Sequence, residues 1–210
     1  MGCFSRLGCL TLGILIGVVA LALVLATRPV GPRYDDGVFV YDVAGAARTV
    51  PITDEAARSF AGKLNGDLTP SGLLEAATVG VPVTEAELNS RIAQEMAERP
   101  VTGPGATVDR VFIRLTNGGA RAYVYSTVRG VPVVLSSDLV FDVGRGAVQV
   151  ELKDPHAGRL PVGFALPAAL SLLDDLAGVE ATIALIIPPQ VQAIRYEEGQ
   201  LRVQVNPLAG

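Results

Sequence analysis

The sequence predicts an α+β fold: one N-terminal transmembrane helix, followed by a mostly antiparallel β-meander packed on amphipathic helices. No residue is charged from Leu7 to Ala26, and two later segments with helical apolar periodicity each follow a threonine. After Thr107 the apolar period changes to two, which is typical of strands. We therefore divide the 210 residues into a tail and anchor (1–27), a Pro/Gly linker (28–36) and one extracytoplasmic α+β domain (37–210).

The apolar segment, residues 7–26, is long enough to span a bilayer. Eleven positions between Leu10 and Leu25 are Leu, Ile or Val, and together they contribute roughly −3 to −7 kcal/mol to membrane insertion. At about 1.5 Å for each helical residue, the segment matches a hydrocarbon core of about 30 Å. Cleavage by signal peptidase after Ala22 or Ala26 is the alternative, because small residues precede both positions. The apolar run exceeds a signal core of about 7–15 residues, which favours a retained anchor.

The charges beside this segment leave its orientation open. Arg6 lies on one side, and Arg28 and Arg33 lie on the other, so the positive-inside rule does not decide. We expect the common arrangement for a short tail: a single-pass protein of the cell membrane with its soluble domain on the extracytoplasmic side. Gly13 and Gly17 have the spacing of a membrane-dimer contact, although glycine is frequent in membrane helices in any case.

The composition excludes several classes of function. The formal charge is −4, and without Arg6 the chain holds 16 basic and 21 acidic side chains, a net charge of −5. A nucleic-acid-binding protein would instead carry a basic face. Cys3 and Cys9 both precede the domain, which therefore has neither a disulfide nor a thiol nucleophile nor a thiolate metal site.

Two predicted helices follow similar extended segments. Val50-Pro51-Ile52-Thr53-Asp54 recurs as Val81-Pro82-Val83-Thr84-Glu85, and in each copy the threonine has the place of an N-cap. Glu87 completes a capping box with Thr84. The predicted helices are about Asp54–Asn65 and Glu85–Glu98, with a short helical segment at Leu73–Ala77 and a third helix at Pro167–Ala177.

Alternating apolar residues and turn sequences mark the strands. Asn117-Gly118-Gly119 predicts one hairpin, and Glu197-Glu198-Gly199 predicts another near the C terminus. The predicted strands are Val38–Val43, Thr107–Leu115, Ala120–Val128, Val131–Val143, Val148–Lys153, Val191–Tyr196 and Leu201–Val205.

Groups suited to catalysis are sparse. His156 is the only histidine and lies in the turn sequence Asp154-Pro155-His156-Ala157-Gly158, where we expect a solvated side chain. One histidine, without a cysteine in the domain, supports neither a Ser/His triad, a Cys/His pair nor a His-rich zinc site. Asp174 and Asp175 are neighbours on a helix and point about 100° apart, so they do not converge. We expect no enzyme activity, no catalytic residues, no cofactor and no metal.

Apolar residues are the remaining candidates for a function. Phe112 lies on the strand face opposite Val111 and Ile113, so this strand is apolar or aromatic on both faces. One interpretation is a sheet that is packed on both sides. The other is a curved sheet whose concave face lines an apolar cavity. The candidate lining residues for an apolar ligand are Leu88, Ile92, Met96, Phe112 and Phe141.

The segment Val83-Thr84-Glu85-Ala86-Glu87-Leu88-Asn89 is similar to the "TE-x-x-LN" helix start of YpmS-like and LmeA-like bacterial membrane-anchored proteins. The order that follows is similar too: a strand meander, Leu160-Pro161-Val162, Leu166-Pro167 before a leucine-bearing helix, and a closing hairpin. The resemblance covers roughly Val81 to Asn206. It implies an extracytoplasmic domain with a fold like that of tubular lipid-binding proteins, and phospholipid binding as in LmeA-like members. The family pattern contains no catalytic residues.

Two functions remain open at this point. The first is a non-catalytic, membrane-anchored extracytoplasmic domain that binds or shields a lipid or other apolar ligand near the bilayer. Its partners would be the lipid bilayer through residues 7–26 and a phospholipid or acyl-chain ligand, with no nucleic acid. The second is an envelope protein–protein interaction module with no ligand cavity, which a solid core with an exposed apolar patch would favour. The sequence does not identify a protein partner.

Overall fold

The computed structural model describes residues 20–22, 24–28, 30–66, 80–103, 105–144, 147–162, 182–186 and 191–205. Within this part the chain is mainly antiparallel β-sheet with few helices, which confirms the α+β class. Helix α1 spans Asp54–Gly66 and helix α2 spans Glu85–Glu98. The strands are β1 Arg33–Asp35, β2 Val38–Val43, β3 Ala46–Pro51, β4 Val81–Thr84, β5 Thr102–Gly103, β6 Ala106–Thr116, β7 Gly119–Val128, β8 Val131–Gly144, β9 Ala147–Ala157, β10 Leu160–Pro161, β11 Thr182–Ile186, β12 Val191–Glu197 and β13 Gln200–Val205.

Several predicted elements lie outside the described residues. They are most of the membrane anchor with Gly13 and Gly17, the short segment Leu73–Ala77, and the third helix with Asp174 and Asp175. Residues 20–22 and 24–27 are helical. None of the helices in the described ranges combines the length and the apolar character that crossing a membrane requires.

Local signals set the start of both helices where the sequence predicts it. The Thr84 hydroxyl accepts a hydrogen bond from the Glu87 backbone N–H (3.2 Å), and the Glu87 carboxylate accepts one from the Thr84 N–H (2.9 Å). These reciprocal bonds form the predicted capping box and satisfy backbone donors at the helix start. Thr53 caps α1, because its hydroxyl accepts a hydrogen bond from the Ala56 N–H (3.1 Å).

The described strands form three antiparallel sheets. Strands β1–β3 form one sheet in chain order, and β4 joins the hairpin β12–β13 in another. The large sheet has the order β10-β9-β8-β7-β6-β5, with β11 also paired to β9. Its β6–β7 hairpin turns at Asn117-Gly118, as predicted, and pairs Thr116 with Gly119.

The large sheet is packed on both faces. This is the first of the two interpretations of the strand with Phe112 that the sequence left open. Phe112 and its cross-strand partner Tyr123 lie on one face and pack against Phe39 of the β1–β3 sheet. Leu115 and Leu139 lie on the other face, against hydrophobic residues of β12 and β13. Each fully buried side chain of this size stabilises the fold by about 1.5–3 kcal/mol.

The predicted turn around the only histidine is wrong. His156 lies in strand β9, where it pairs with Ser136 of β8 and with Pro161 of β10. The strand continues beyond its predicted end because Asp154 adopts a positive φ of 49° beside a register shift in the β8–β9 pairing. The chain turns only after Ala157, at Gly158.

Strand β1 forms inside the predicted linker. Its central residue, Tyr34, pairs with Phe39 of β2, and the two ring centroids are 4.7 Å apart. The linker prediction rested on the proline and glycine content of this segment. In the last residues of the linker, packing of Tyr34 against the neighbouring strand outweighs the tendency of proline and glycine to disfavour a strand.

Candidate functional site

Helix α2 packs along an edge of strand β6. On this edge β5 pairs only Thr102 and Gly103 with Thr107 and Ala106. Unpaired strand edges offer backbone groups to other chains, and folded proteins therefore cover them. Further along the edge, side chains from the start of α2 bind backbone groups of Ile113 and Leu115, and the Gly199 N–H in the β12–β13 turn donates to the Leu115 carbonyl oxygen (3.0 Å).

Asn89 of α2 takes the place of a neighbouring strand. Its Nδ2 donates a hydrogen bond to the Ile113 carbonyl oxygen (2.8 Å), and its Oδ1 accepts one from the Ile113 N–H (2.6 Å). Nδ2 also donates to the Glu85 carbonyl oxygen (2.8 Å). The side chain is fully buried, at 0% exposure, so these bonds have no competition from water. Asn89 thereby fixes the position of α2 on β6.

Glu85 joins all three sheets, two through its buried carboxylate and the third through its backbone N–H. One oxygen accepts a hydrogen bond from the Leu115 N–H of β6, and the other accepts one from the Tyr41 hydroxyl of β2. The Glu85 N–H donates to the Gly199 carbonyl oxygen (3.0 Å) in the β12–β13 turn. Arg48 Nε of β3 lies 3.8 Å from the carboxylate.

Burial raises the pKa of Glu85 above its ordinary value. The Tyr41 hydroxyl, the Leu115 N–H and the Arg48 charge act in the opposite direction and offset part of this effect. Only 1% of the Glu85 surface is exposed, and each carboxylate oxygen already has a donor. The Glu85 carboxylate is therefore a structural group that connects the sheets to α2.

Glu87 performs a similar task between the two helices. Besides Thr84, its carboxylate accepts hydrogen bonds from the Ser59 hydroxyl (2.6 Å) and the Lys63 ammonium (2.8 Å) of α1. Burial raises its pKa, but the bonds from Lys63, Ser59 and Thr84 outweigh burial and lower the pKa to about 2. Glu87 is thus a charged, fully partnered group that holds α1 against α2.

A groove lies beside the C-terminal half of α2, between that helix, the start of β6 and the β1–β3 sheet. Its volume is about 340 Å³, which is at the lower end for small-ligand sites, roughly 300–1,000 Å³. Most of its surface is apolar. Residues that line it include Tyr34, Phe39, Ile52, Ala93, Met96 and Val108.

Two charged residues border the same groove. The Arg110 guanidinium lies over the Tyr34 ring, 4.2 Å from its centroid, in a cation–π contact. Asp109 accepts hydrogen bonds from the hydroxyls of Thr107 (3.3 Å) and Thr127 (2.8 Å). In the described part of the chain, no carboxylate lies within ion-pair distance of Arg110. Arg110 therefore offers a positive charge beside an apolar groove.

The predicted lining residues are distributed over four environments. Met96 borders the groove. Phe112 is 0% exposed and lies behind Phe39, with the ring centroids 4.4 Å apart. Leu88 and Phe141 pack in the cluster on the opposite face of the large sheet. Ile92 is half-buried on α2 and is not among the residues that line the groove.

Aromatic residues of β1 and β2 were not among the sequence candidates. Tyr34 and Phe39 form one wall of the groove, and Tyr41 packs on Phe112 (5.8 Å between ring centroids). A signal for the second strand was present, because Phe39 and Tyr41 occupy alternate positions and so share one face. The sequence did not reveal that this face covers β6, since that contact joins distant parts of the chain.

The comparisons do not assign the chain to a family. No protein-family model, curated protein or solved structure matches it. Within the described ranges, no group of three or more His, Cys, Asp or Glu residues is placed to hold a metal ion.

Proposed function

We propose that this chain is a non-catalytic, membrane-anchored extracytoplasmic domain that holds an acyl chain in the groove between α2, β6 and the β1–β3 sheet. The apolar groove is the observation that carries the proposal, because it is large enough for a small ligand and bordered by Arg110, which forms no ion pair with a described residue. An apolar chain gains about 0.8 kcal/mol for each buried methylene. The expected relationship to YpmS-like and LmeA-like proteins belongs to the same proposal.

The position of the groove relative to the N-terminal segment supports this function. We use the name hairpin end for the end of the large sheet with the turns Arg129–Gly130 and Gly158–Arg159. Near this end the Gly158 N–H donates to the Val134 carbonyl oxygen (2.7 Å) at the start of β8. The Arg159 N–H donates to the Leu25 carbonyl oxygen (2.9 Å), so the last turn of the N-terminal helix lies here. A lipid next to the anchor would therefore approach the domain at the hairpin end.

Exposed valines lie at the same end. Val101, Val128 and Val131 each expose between 41% and 44% of their surface. Val108, which lines the groove, pairs with Ser126, two positions before Val128. The groove and the three valines are therefore close together, and both would face the bilayer in an anchored domain.

A protein partner is the second candidate, and the same valines favour it. Exposed apolar residues that lie together often mark protein interfaces. In this alternative the valines at the hairpin end bind an envelope protein, and the groove holds no ligand.

Photo-cross-linking of the full chain in vesicles tests whether the groove holds a lipid or the domain binds a protein partner instead. The vesicles contain phosphatidylcholine with a diazirine near the end of one acyl chain. We expect covalent lipid on peptides that contain Met96 or Ile52, in addition to any labelling of residues 7–26. Ala93→Trp places an indole in the groove and should lower the groove labelling by about tenfold, as expected if about 1.4 kcal/mol of binding free energy is lost.

Ala47→Trp is the matched control, because Ala47 lies exposed on β3 and outside the groove. Its groove labelling should equal that of the unmodified chain. Labelling that is confined to residues 7–26 and insensitive to Ala93→Trp would reject the groove as a lipid site. The interaction module would be supported if, in addition, the chain cross-links to another protein and Val128→Asp abolishes that cross-link.

A further inference from the structure

A second, polar pocket lies next to the end of the N-terminal helix. Its volume is about 400 Å³, and it lies on the face of the large sheet that carries Tyr123. Arg121 of β7, Ser136 of β8 and His156 of β9 line it, together with Arg159. These side chains carry hydrogen-bond donors, and Asp154 is the only carboxylate among the described residues that line the pocket.

The hydrogen bonds of His156 leave one of its ring nitrogens for a ligand. Nδ1 lies 2.9 Å from the backbone carbonyl oxygen of Asp154. A carbonyl oxygen only accepts hydrogen bonds, so Nδ1 carries the proton in this contact. Nε2 can then accept a hydrogen bond from a protonated oxyanion or, in an imidazolium, donate one. Ser136, the strand partner of His156, is buried beside it.

The two arginines differ in their partners. Arg121 Nε lies 3.3 Å from Asp138, and Arg121 Nη2 lies 3.7 Å from Asp154, which leaves further guanidinium N–H groups for another acceptor. Arg159 is exposed and forms no ion pair with any described residue. Asp138 and Asp154 therefore balance the charge of Arg121, and Arg159 is the lining guanidinium without an ion pair among the described residues.

The pocket is directly attached to the predicted membrane anchor. The Arg159 N–H donates to the Leu25 carbonyl oxygen (2.9 Å), and Val30, four residues after Ala26, lines the pocket. Gly158 lies so close that a Cβ atom there would be 2.4 Å from the carbonyl oxygens of Leu25 and Ala26. If residues 7–26 span the bilayer, this pocket lies at the level of the lipid headgroups.

We propose that this pocket binds the phosphate group of a lipid headgroup or of a soluble phosphate, with Arg159 and Arg121 as the main charged donors and His156 and Ser136 beside them. Guanidinium groups are well suited to phosphate, because their planar donors match its oxygens. The lipid source rests on the proposed anchoring, whereas the soluble source does not. The site is separate from the apolar groove, which none of these four residues lines.

The single histidine of the chain provides a direct probe. The full chain is labelled with ¹³C at histidine Cε1 and held in micelles of an alkyl maltoside, a detergent without phosphate, in a phosphate-free buffer. One series adds phosphatidic acid to the micelles, and a second adds inorganic phosphate to the buffer. We expect a saturable change in the His156 resonance in at least one series.

Arg159→Ala should raise the half-saturating concentration about tenfold, the effect expected from loss of one charge-assisted hydrogen bond. Arg129→Ala is the matched control, because Arg129 is an exposed arginine at the hairpin end that does not line the pocket. It should leave the titration unchanged. Circular dichroism of both variants verifies that they remain folded.

The outcomes separate the sources and the two proposals. A response to phosphatidic acid alone assigns the site to a headgroup, and an equal response to inorganic phosphate assigns it to phosphate from solution. No response in either series overturns the proposal, and so do equal losses in Arg159→Ala and Arg129→Ala, which would indicate surface charge alone. Lipid labelling in the groove is measured independently, so failure of either site is recognised without reference to the other.

Discussion

Replacement of Asn89 by alanine should destabilise the domain strongly. Asn89 supplies three buried hydrogen bonds: two to the backbone of Ile113 and one to the carbonyl oxygen of Glu85. Alanine removes every one of them without removing the backbone groups they satisfy. The edge of β6 then keeps an N–H and a carbonyl oxygen with no partner in a region that water does not reach.

The size of the effect follows from those unsatisfied groups. A buried donor or acceptor that loses its partner costs about 1–3 kcal/mol. The Ile113 N–H and carbonyl groups together give about 2–6 kcal/mol, and the cavity left by the amide adds to that cost. Typical domains unfold with about 5–15 kcal/mol. The substitution should therefore remove a large share of the stability.

Urea unfolding followed by circular dichroism measures this loss, and hydrogen exchange at Ile113 locates it. We expect Asn89→Ala to lower the free energy of unfolding by about 3–5 kcal/mol and to accelerate exchange of the Ile113 amide. Gln94→Ala is the control on the same helix, because Gln94 is exposed, and surface changes of this kind stay within about 0.5 kcal/mol. A loss below about 1 kcal/mol with unchanged exchange at Ile113 would refute the covered-edge argument.

Two further predictions concern charge and backbone conformation. The pKa of Glu87 is about 2 in the folded state and 4.5 for an unperturbed side chain. Ionised Glu87 therefore stabilises the folded state by about 3 kcal/mol above pH 4.5, and this contribution is lost as the pH falls towards 2. Glu87→Gln should abolish that loss in urea titrations between pH 5 and pH 2, and an unchanged slope would contradict the assignment. Gly31→Ala should destabilise the domain more than Gly37→Ala does, by about 1–3 kcal/mol. Both glycines have positive φ, but only at Gly31 would a Cβ atom meet the Tyr123 ring (2.4 Å). Equal shifts of the thermal unfolding midpoint in the two variants would reject this reasoning.

The parts of the fold that sequence predicts well are those with local signals. Helix α2 begins at the predicted residue because Thr84 and Glu87 form a complete capping box, and it ends at the predicted Glu98. The β6–β7 hairpin follows from Asn117-Gly118, which favours a tight turn. Each of these signals involves residues that are only a few positions apart, so a single sequence is sufficient to recognise them.

The candidate site was predicted only in part because it depends on contacts between distant segments. The apolar pattern of α2 placed Met96 on a buried face, and Met96 lines the groove. Phe112 has the same apolar character, but the β1–β3 sheet covers it, and Phe39 takes its place at the groove. Periodicity identifies which face of a strand is buried, whereas the identity of the covering element requires the tertiary structure.

Hydrogen-bond matching at the β6 edge explains the residue types in the segment Val83–Asn89, on which the proposed relationship to YpmS-like and LmeA-like proteins rests. Glu85 accepts hydrogen bonds from the Leu115 N–H and the Tyr41 hydroxyl beside the Arg48 guanidinium, so a carboxylate fits, and glutamine would remove the negative charge that faces Arg48. Asn89 faces one donor and one acceptor of Ile113, so an amide fits and aspartate would oppose the carbonyl oxygen. The two residue types are therefore required at their positions by the packing of a helix on a strand edge. A shared segment of this kind would indicate a shared way of closing a sheet, and evidence for a shared ligand must come from the groove and the polar pocket.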